Sequence, residues 1–131
     1  MAEIARDPQS DGCVVLELQA GDVLLARFTG SVSLAFAEQT SNRIIGHIEA
    51  GCRRILYDVG DSVPTFSPVD VLDEVRRLGR AGGKTARFAY CAPENMFTKH
   101  FMLIEAAAFN EGIDVKFFSD IDAAMRWLRE R

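Results

Sequence analysis

The spacing of hydrophobic residues changes along the chain and predicts alternating strands and helices. Two apolar runs at residues 13–18 and 23–29 flank a turn with Gly21 and Asp22, which predicts a β-hairpin. From residue 34 the apolar positions fall instead on one face of a helix, which Ser33 can cap. The chain is therefore expected to open with two strands and a helix over residues 34–50.

The remaining sequence repeats a strand followed by a helix. The predicted strands cover residues 54–59, 85–92 and 113–119. A helix is predicted after each strand: the first begins after Ser67, the second covers residues 94–110, and the third begins after Ser119 as its N-cap. Residues 60–66 are rich in turn-forming types and are expected to form a loop. The order β-β-α-β-α-β-α-β-α predicts an α/β fold with a mixed, mostly parallel five-stranded sheet, an N-terminal hairpin and four helices.

Length and composition indicate one folded domain. A chain of 131 residues is long enough for one hydrophobic core and short for two ordinary domains. Apolar residues make up 48% and charged residues 26%, which is the balance of a globular protein. Residues 1–12 are polar and contain Pro8 and Gly12, so we expect a flexible N-terminal arm followed by a single domain over residues 13–131.

Charge, hydropathy and cysteine content exclude several classes of protein. The formal net charge of −4 argues against a nucleic-acid-binding protein, which usually carries a concentrated basic surface. No apolar run is long enough for a transmembrane segment, and the N-terminus lacks the apolar core of a signal peptide. The three cysteines are an odd number in a chain that needs no disulfide, so we expect reduced thiols and a cytoplasmic location.

The residue types needed for catalysis or cofactor binding do not come together in the sequence. Gly83-Lys84-Thr85 is similar to the end of a phosphate-binding loop, but the glycine spacing fails and the segment runs from helix to strand. Asp58 and Asp61, with the aspartates that follow, could hold Mg²⁺, although acidic residues there also suit a loop and a helix N-terminus. The sequence therefore predicts a protein that is not an enzyme, with no metal and no cofactor.

The third predicted helix is apolar over more of its circumference than a helix on one face of a sheet requires. One interpretation is a helix packed deeply between two neighbours. The other is that the surplus face meets a second subunit, a partner protein or an apolar ligand. The candidate residues for an apolar ligand or dimer surface are Met96, Phe97, His100, Phe101 and Met102.

Three stretches in this order carry a resemblance to a known family. They are Arg54-Ile-Leu-Tyr-Asp58 ahead of the central loop, the Lys-led strand over residues 84–92, and a strand ending in Phe followed by an Ala-x-x-Trp-Leu helix at residues 115–128. Together they resemble the SpoIIAA-like branch of the STAS domains, whose founding members are bacterial anti-sigma-factor antagonists. The resemblance covers about residues 13–130.

The resemblance implies a non-catalytic protein that docks partners and is switched by phosphorylation of a Ser or Thr. Ser67 occupies the corresponding place, and Asp58 and Asp61 lie just before it, so these residues form a candidate phosphorylation or partner site. The sequence departs from the family pattern here, because it has Thr65-Phe66-Ser67-Pro68 in place of an Asp followed by paired hydroxyls and Gly. Ser67 is also suited to be only the N-cap of the following helix.

Two functions follow from these observations. The first is a cytoplasmic regulatory and protein-interaction module that acts as a homodimer and binds an unidentified protein partner. The alternative is a carrier or sensor of a small apolar, lipid-like ligand held beneath the third helix, since this branch also resembles the CRAL-TRIO lipid-transfer fold.

Overall fold

The computed structural model describes residues 2–19, 22–96 and 99–130. Its elements alternate after an initial run of strands, and two short 3₁₀ turns precede β5 and α3. They are β1 (Ala2–Arg6), β2 (Cys13–Gln19), β3 (Val23–Val32), α1 (Leu34–Glu49), β4 (Arg54–Pro64), α2 (Pro68–Arg80), β5 (Arg87–Cys91), α3 (Lys99–Glu111), β6 (Asp114–Phe118) and α4 (Ile121–Arg129).

The strands form one mixed sheet in the order β1-β2-β3-β4-β5-β6. The pairs β1–β2 and β2–β3 are antiparallel, and every later pair is parallel. Parallel neighbours need a crossover connection, and a helix provides it each time. The predicted α/β fold with an N-terminal hairpin and four helices is confirmed.

The predicted count of five strands is wrong, because β1 adds a sixth at the edge of the sheet. This strand lies within residues 1–12, where we expected a flexible arm. Its one large apolar side chain, Ile4, is exposed, so the strand lacks the alternation of buried apolar and exposed polar residues by which a strand is predicted from sequence. Backbone pairing with β2 from Ala2 to Arg6 holds it instead.

The turn after β1 is also fixed to the domain. The Asp7 carboxylate accepts hydrogen bonds from the Gln9 N–H, the Ser10 hydroxyl and, at 2.8 Å, the Ser33 hydroxyl. These bonds lower the pKa of Asp7, the bond from Gln9 most, because they favour the charged form. Ser33 in turn caps α1 by accepting from the Phe36 N–H, so the N-terminal turn is tied to the start of α1.

β4 is longer than predicted and replaces most of the expected loop at residues 60–66. Its pairing with β3 shifts between Arg27 and Thr29 and then continues from Thr29↔Asp61 to Val32↔Pro64. A bulge of this kind lets a strand pass an irregular position and continue its hydrogen-bonded pairing with the neighbouring strand. The Gly and Pro residues of this segment predict a loop, and they do not reveal that the pairing continues.

Two further element limits differ from the sequence-based expectation. The segment after Pro93 begins with a 3₁₀ turn at Glu94–Met96, and α3 starts only at Lys99. The N-cap of α4 is Asp120, whose side chain accepts from the Asp122 N–H, and not Ser119. Both residue types are good N-caps. β6 ends at Phe118 and α4 begins at Ile121, so Asp120 is the residue directly before the helix.

The helices cover the two faces of the sheet unequally. α1, α2 and α3 pack with Leu16, Phe28, Ile55, Tyr57 and Phe88 on one face. α4 packs alone on the other face, where Ala124 and Leu128 contact the strand residues of a smaller cluster, Val23, Leu56, Ala89 and Cys91. The face with three helices is the one that contains the cavity described next.

Candidate functional site

A cavity of about 460 Å³ lies between α1, α2 and the sheet, with α3 at one side. Its walls are mostly apolar side chains from these helices, among them Ala37, Ile44, Val75, Leu78 and Ile104. Ligand sites are typically concave, mostly apolar and supplied with a few polar groups. The cavity has this character, and its polar lining residues are Thr40, Ser41, Tyr57, Ser62, Glu74, Tyr90 and Asn95.

The floor of the cavity is a row of aromatic rings on adjacent strands. Tyr57 of β4 and Tyr90 of β5 are register partners, and their rings stack with centroids 4.5 Å apart. Phe28 continues the row on β3 at 6.2 Å from Tyr57, and Phe101 of α3 lies 6.4 Å from Tyr90. Stacked and tilted rings at these distances attract one another and give a rigid surface.

The two tyrosine hydroxyls bring polarity to this floor. Burial raises the pKa of both, and the negative charge of Glu74 raises both further, so each phenol is protonated at neutral pH. Among the residues the structure describes, neither hydroxyl makes a hydrogen bond, and yet no fully enclosed side-chain oxygen or nitrogen lacks a partner. The hydroxyls therefore lie at the open space of the cavity, where an occupant can bind them.

Glu74 and Arg77 connect the two helices that flank the cavity. The Glu74 carboxylate lines it and accepts two hydrogen bonds from the Arg77 guanidinium, each of 3.1 Å. Arg77 also donates to the Asn42 side chain and, at 3.1 Å, to the Glu38 carbonyl, both on α1. The hydrogen bond with Glu74 raises the pKa of Arg77, and the guanidinium bridges α2 to α1.

The predicted apolar surface on α3 is divided by the structure. Phe101 is half-buried and lines the cavity, whereas Met102 is 70% exposed and points away from the domain. Phe109, about two helical turns after Met102, is 85% exposed on the same outward face. Phe97 lies outside the described residues, and so do the side chains of Met96 and His100.

Ser67 is the N-cap of α2 and forms a capping box with Asp70. Its hydroxyl accepts from the Asp70 N–H and donates at 3.0 Å to the Asp70 carboxylate, which also accepts from the Ser67 N–H at 3.2 Å. The residue itself is exposed, and on either side of it Val63 and Val69 are 62% and 65% exposed. Ser67 thus has the structural role predicted for a cap and lies in the sequence between two exposed valines.

The other two residues of the predicted site lie apart from the Ser67 hydroxyl. Asp58 forms an ion pair of 3.0 Å with Arg27, and it belongs to the side of β4 that faces α4. Asp61 is exposed, three residues before Pro64. Among the described residues, no hydrogen bond joins Ser67 to Asp58 or Asp61.

Two properties of the described residues bear on other chemistry. No group of three or more His, Cys, Asp or Glu side chains there is placed to hold a metal ion. No helix among them combines the length and apolar character needed to cross a membrane. The three thiols in the described part are free, and burial raises the pKa of the Cys91 thiol, with Asp58 and Asp120 adding to the effect.

Comparison with solved structures decides the fold. An anti-sigma factor antagonist from Mycobacterium paratuberculosis superposes with a TM-score of 0.64 over 96% of this chain and 100% of its own, at 14% sequence identity. The chain has the STAS (SpoIIAA-like) fold. The Bacillus cell fate determinant SpoIIAA, in its phosphorylated form, superposes on the same fold with a TM-score of 0.56, 17% identity and coverage of 87% and 98% of the two chains. No family model and no curated protein matches the sequence.

The sequence analysis missed the residues that form the cavity of this STAS fold. Tyr57, Tyr90 and Glu74 come from different elements, and only the tertiary structure brings them together. One signal was available: residues 54–57 and 87–90 share the pattern of an arginine, two apolar residues and a tyrosine. On neighbouring parallel strands that pattern places both tyrosines on one face, and the observed register does so.

Proposed function

We propose that the chain is a non-catalytic regulatory module that acts by binding a partner protein. Two solved structures of its fold are an anti-sigma factor antagonist and SpoIIAA, which supports a partner of the anti-sigma factor class. The observation that carries the proposal is the pair of exposed valines, Val63 and Val69, that flank Ser67 in the sequence. Contiguous exposed apolar side chains with a polar surround are typical of protein interaction sites.

The surroundings of Ser67 are acidic, so a phosphate there would meet like charges. Asp61 and Asp73 are exposed near the apolar pair, and Asp70 holds the capping box. A phosphate on Ser67 would remove the hydroxyl proton that the Asp70 carboxylate accepts and would place like charges together. The start of α2 would then rearrange, and docking there would weaken, which is the regulation that we propose.

A titration with purified anti-sigma factors from the same genome tests this function. We expect one of them to bind the wild-type chain, and Val69→Glu to weaken that binding by at least about tenfold, since a buried unpaired charge costs more than 1.4 kcal/mol. Ile4→Glu is the matched control, because Ile4 is similarly exposed on the distant edge strand. Absence of binding by every anti-sigma factor, or equal weakening by both variants, contradicts the proposal.

The module is proposed to act as a homodimer through the outward face of α3. Met102 and Phe109 lie on this face, and in an antiparallel crossing about a two-fold axis each would contact the other residue of the second copy. Such an arrangement uses the same surface on both copies and requires no change in the rest of the domain. It also leaves the surface around Ser67 free for a partner.

The second candidate function is carriage or sensing of a small apolar ligand. The cavity of about 460 Å³ favours it, because ligand pockets usually measure roughly 300–1,000 Å³ and are lined by apolar and aromatic side chains. α1, α2 and the sheet provide most of the wall, and α3 contributes Phe101 and Ile104. Native mass spectrometry of freshly purified protein tests this function: a retained small mass supports it, and a bare chain after expression in several hosts contradicts it.

A further inference from the structure

We infer that the cavity binds an uncharged amphipathic molecule, with an apolar body between α1 and α2 and a hydroxyl group on Tyr57 and Tyr90. This inference rests on the second function proposed above and adds the chemistry of the ligand to it. It depends on three observations: the apolar walls, the two tyrosine hydroxyls without a hydrogen-bond partner among the described residues, and the ion pair in which Glu74 and Arg77 neutralise each other.

The body of the ligand follows from the walls. Ile44 from α1, Val75 and Leu78 from α2, and Ile104 from α3 surround an aromatic floor that contains Phe28. Each apolar group that enters is removed from water, which favours binding by roughly 25 cal/mol for each Å² buried. These apolar walls favour a ligand whose body is a hydrocarbon chain or a ring system.

The head of the ligand follows from the tyrosines. Each phenol can donate one hydrogen bond and accept others, and in the described structure neither does so. Tyr57 is only 6% exposed, so bulk water cannot fully replace a partner there. A ligand hydroxyl can accept from one phenol and donate to the other, and the 4.5 Å between the ring centroids brings both phenols within its reach.

The charge of the head follows from Glu74 and Arg77. Both carboxylate oxygens of Glu74 accept from Arg77, whose other hydrogen bonds within the described structure go to Asn42 and Glu38 on α1. Among the described residues that line the cavity there is no cation, so a ligand carboxylate would meet the negative Glu74 with none of them to pair with. A ligand ammonium would have to displace Arg77 from Glu74 and break the bridge between α1 and α2. An uncharged hydroxyl avoids both costs.

A displacement series with one chain length and three heads tests this inference on the wild-type protein. The fluorescent probe N-phenyl-1-naphthylamine is bound first and then displaced by decanol, decanoate or decylamine below their micellar concentrations. We expect decanol to displace the probe at a concentration about tenfold or more below that of either charged analogue, because like charges and desolvated ions are costly in such a site. Decanoate equal to or better than decanol overturns the inference.

Two variants locate the preference in the named residues. In the variant with both Tyr57→Phe and Tyr90→Phe, the probe should still bind and decanol should lose its advantage. In Glu74→Gln, decanoate should improve relative to decanol, because the negative charge is gone and Arg77 is released. A preference for decanol that survives the double variant overturns the placement of the hydroxyl, and circular dichroism and a thermal melt verify that each variant folds.

The outcomes separate this inference from the function on which it rests. Absence of probe binding, together with a bare chain in native mass spectrometry, contradicts the ligand function and the inference with it. Probe binding with a preference for a charged head contradicts the inference and leaves the ligand function supported. Probe binding with the preference for decanol supports both.

Discussion

Tyr57 and Tyr90 stack side by side on β4 and β5 with ring centroids 4.5 Å apart, and neither hydroxyl has a hydrogen-bond partner in the described part of the chain. A buried aromatic ring usually contributes to stability through the apolar area that it buries, and a buried hydroxyl usually needs a hydrogen-bond partner. Here the rings serve the core while the hydroxyls face a cavity. This separation of roles within one side chain leads to the first two predictions.

Tyr57→Phe should leave the free energy of unfolding unchanged within about 0.5 kcal/mol, because the hydroxyl makes no hydrogen bond with the described part of the protein. Tyr57→Ala should cost about 3–5 kcal/mol, since it removes the ring from between Phe28, Phe88 and Tyr90. Urea unfolding of the three proteins measures both effects. A loss of more than about 1 kcal/mol for Tyr57→Phe would show a bonded hydroxyl and remove a basis for the ligand proposal.

The pH dependence of tyrosine absorbance gives the second prediction, since the chain has only two tyrosines and both line the cavity. Burial raises the pKa of each phenol above its ordinary value of about 10, so the folded state favours the protonated form. The stability that depends on these protons is complete below pH 10 and is lost as pH rises toward the raised pKa values.

Absorbance at 295 nm should therefore remain flat through about pH 10 and rise only at higher pH, together with unfolding. The same protein in guanidinium chloride is the control and should titrate near pH 10. Half-ionisation of the folded chain at or below that pH, with its circular dichroism unchanged, would mean that the phenols are open to water.

The capping roles at two serines provide a matched pair for the third prediction. Ser67→Ala should cost about 0.5–2 kcal/mol of unfolding free energy, because it removes the capping box with Asp70. Ser119→Ala should cost much less, because Asp120 caps α4. Ser67→Asn should stay near wild type, since Asn caps as well as Ser. Equal thermal stability of the wild type and Ser67→Ala would contradict the capping role.

The fourth prediction concerns the outward face of α3. The wild-type chain should be a dimer at about 100 μM, well above the micromolar dissociation constants of modest interfaces. Met102→Glu should give a folded monomer, while Leu18→Glu, at an exposed apolar site on β2, should remain dimeric. Size-exclusion chromatography with light scattering measures the mass. A wild-type monomer at that concentration, or dimers in both variants, rules out this interface.

The features that were predicted best from the sequence are those determined by residues close together in the chain. Ser67 caps α2 as expected because the cap, the following Pro68 and the Asp70 carboxylate all lie within four positions of one another. The parallel sheet also followed from alternation of strands and helices. β1 and the second half of β4 did not, because backbone pairing across the sheet holds them and no hydrophobic pattern marks them.

The candidate site was predicted only in part, for a similar reason. Phe101 and Met102 are neighbours in an apolar helix, and only the packing of α3 places one at the cavity and the other outside. Arg77 lies in the last turn of α2, yet its bonds to Asn42 and Glu38 span thirty-five and thirty-nine positions of sequence. Contacts between residues so far apart in the chain depend on how α1 and α2 pack together, and this packing cannot be predicted from a short stretch of sequence.

The measurement that tests the proposed regulatory function most directly is an NMR titration of the isotope-labelled chain with an anti-sigma factor from the same genome. The account predicts that amide signals at Val63, Ser67 and Val69 shift or broaden first and that those of α4, on the opposite face of the sheet, stay unchanged. The Ser67→Asp variant should show weaker shifts at equal partner concentration, because its charge lies beside Asp70. Shifts confined to α4, or no shifts with any anti-sigma factor, would contradict the account.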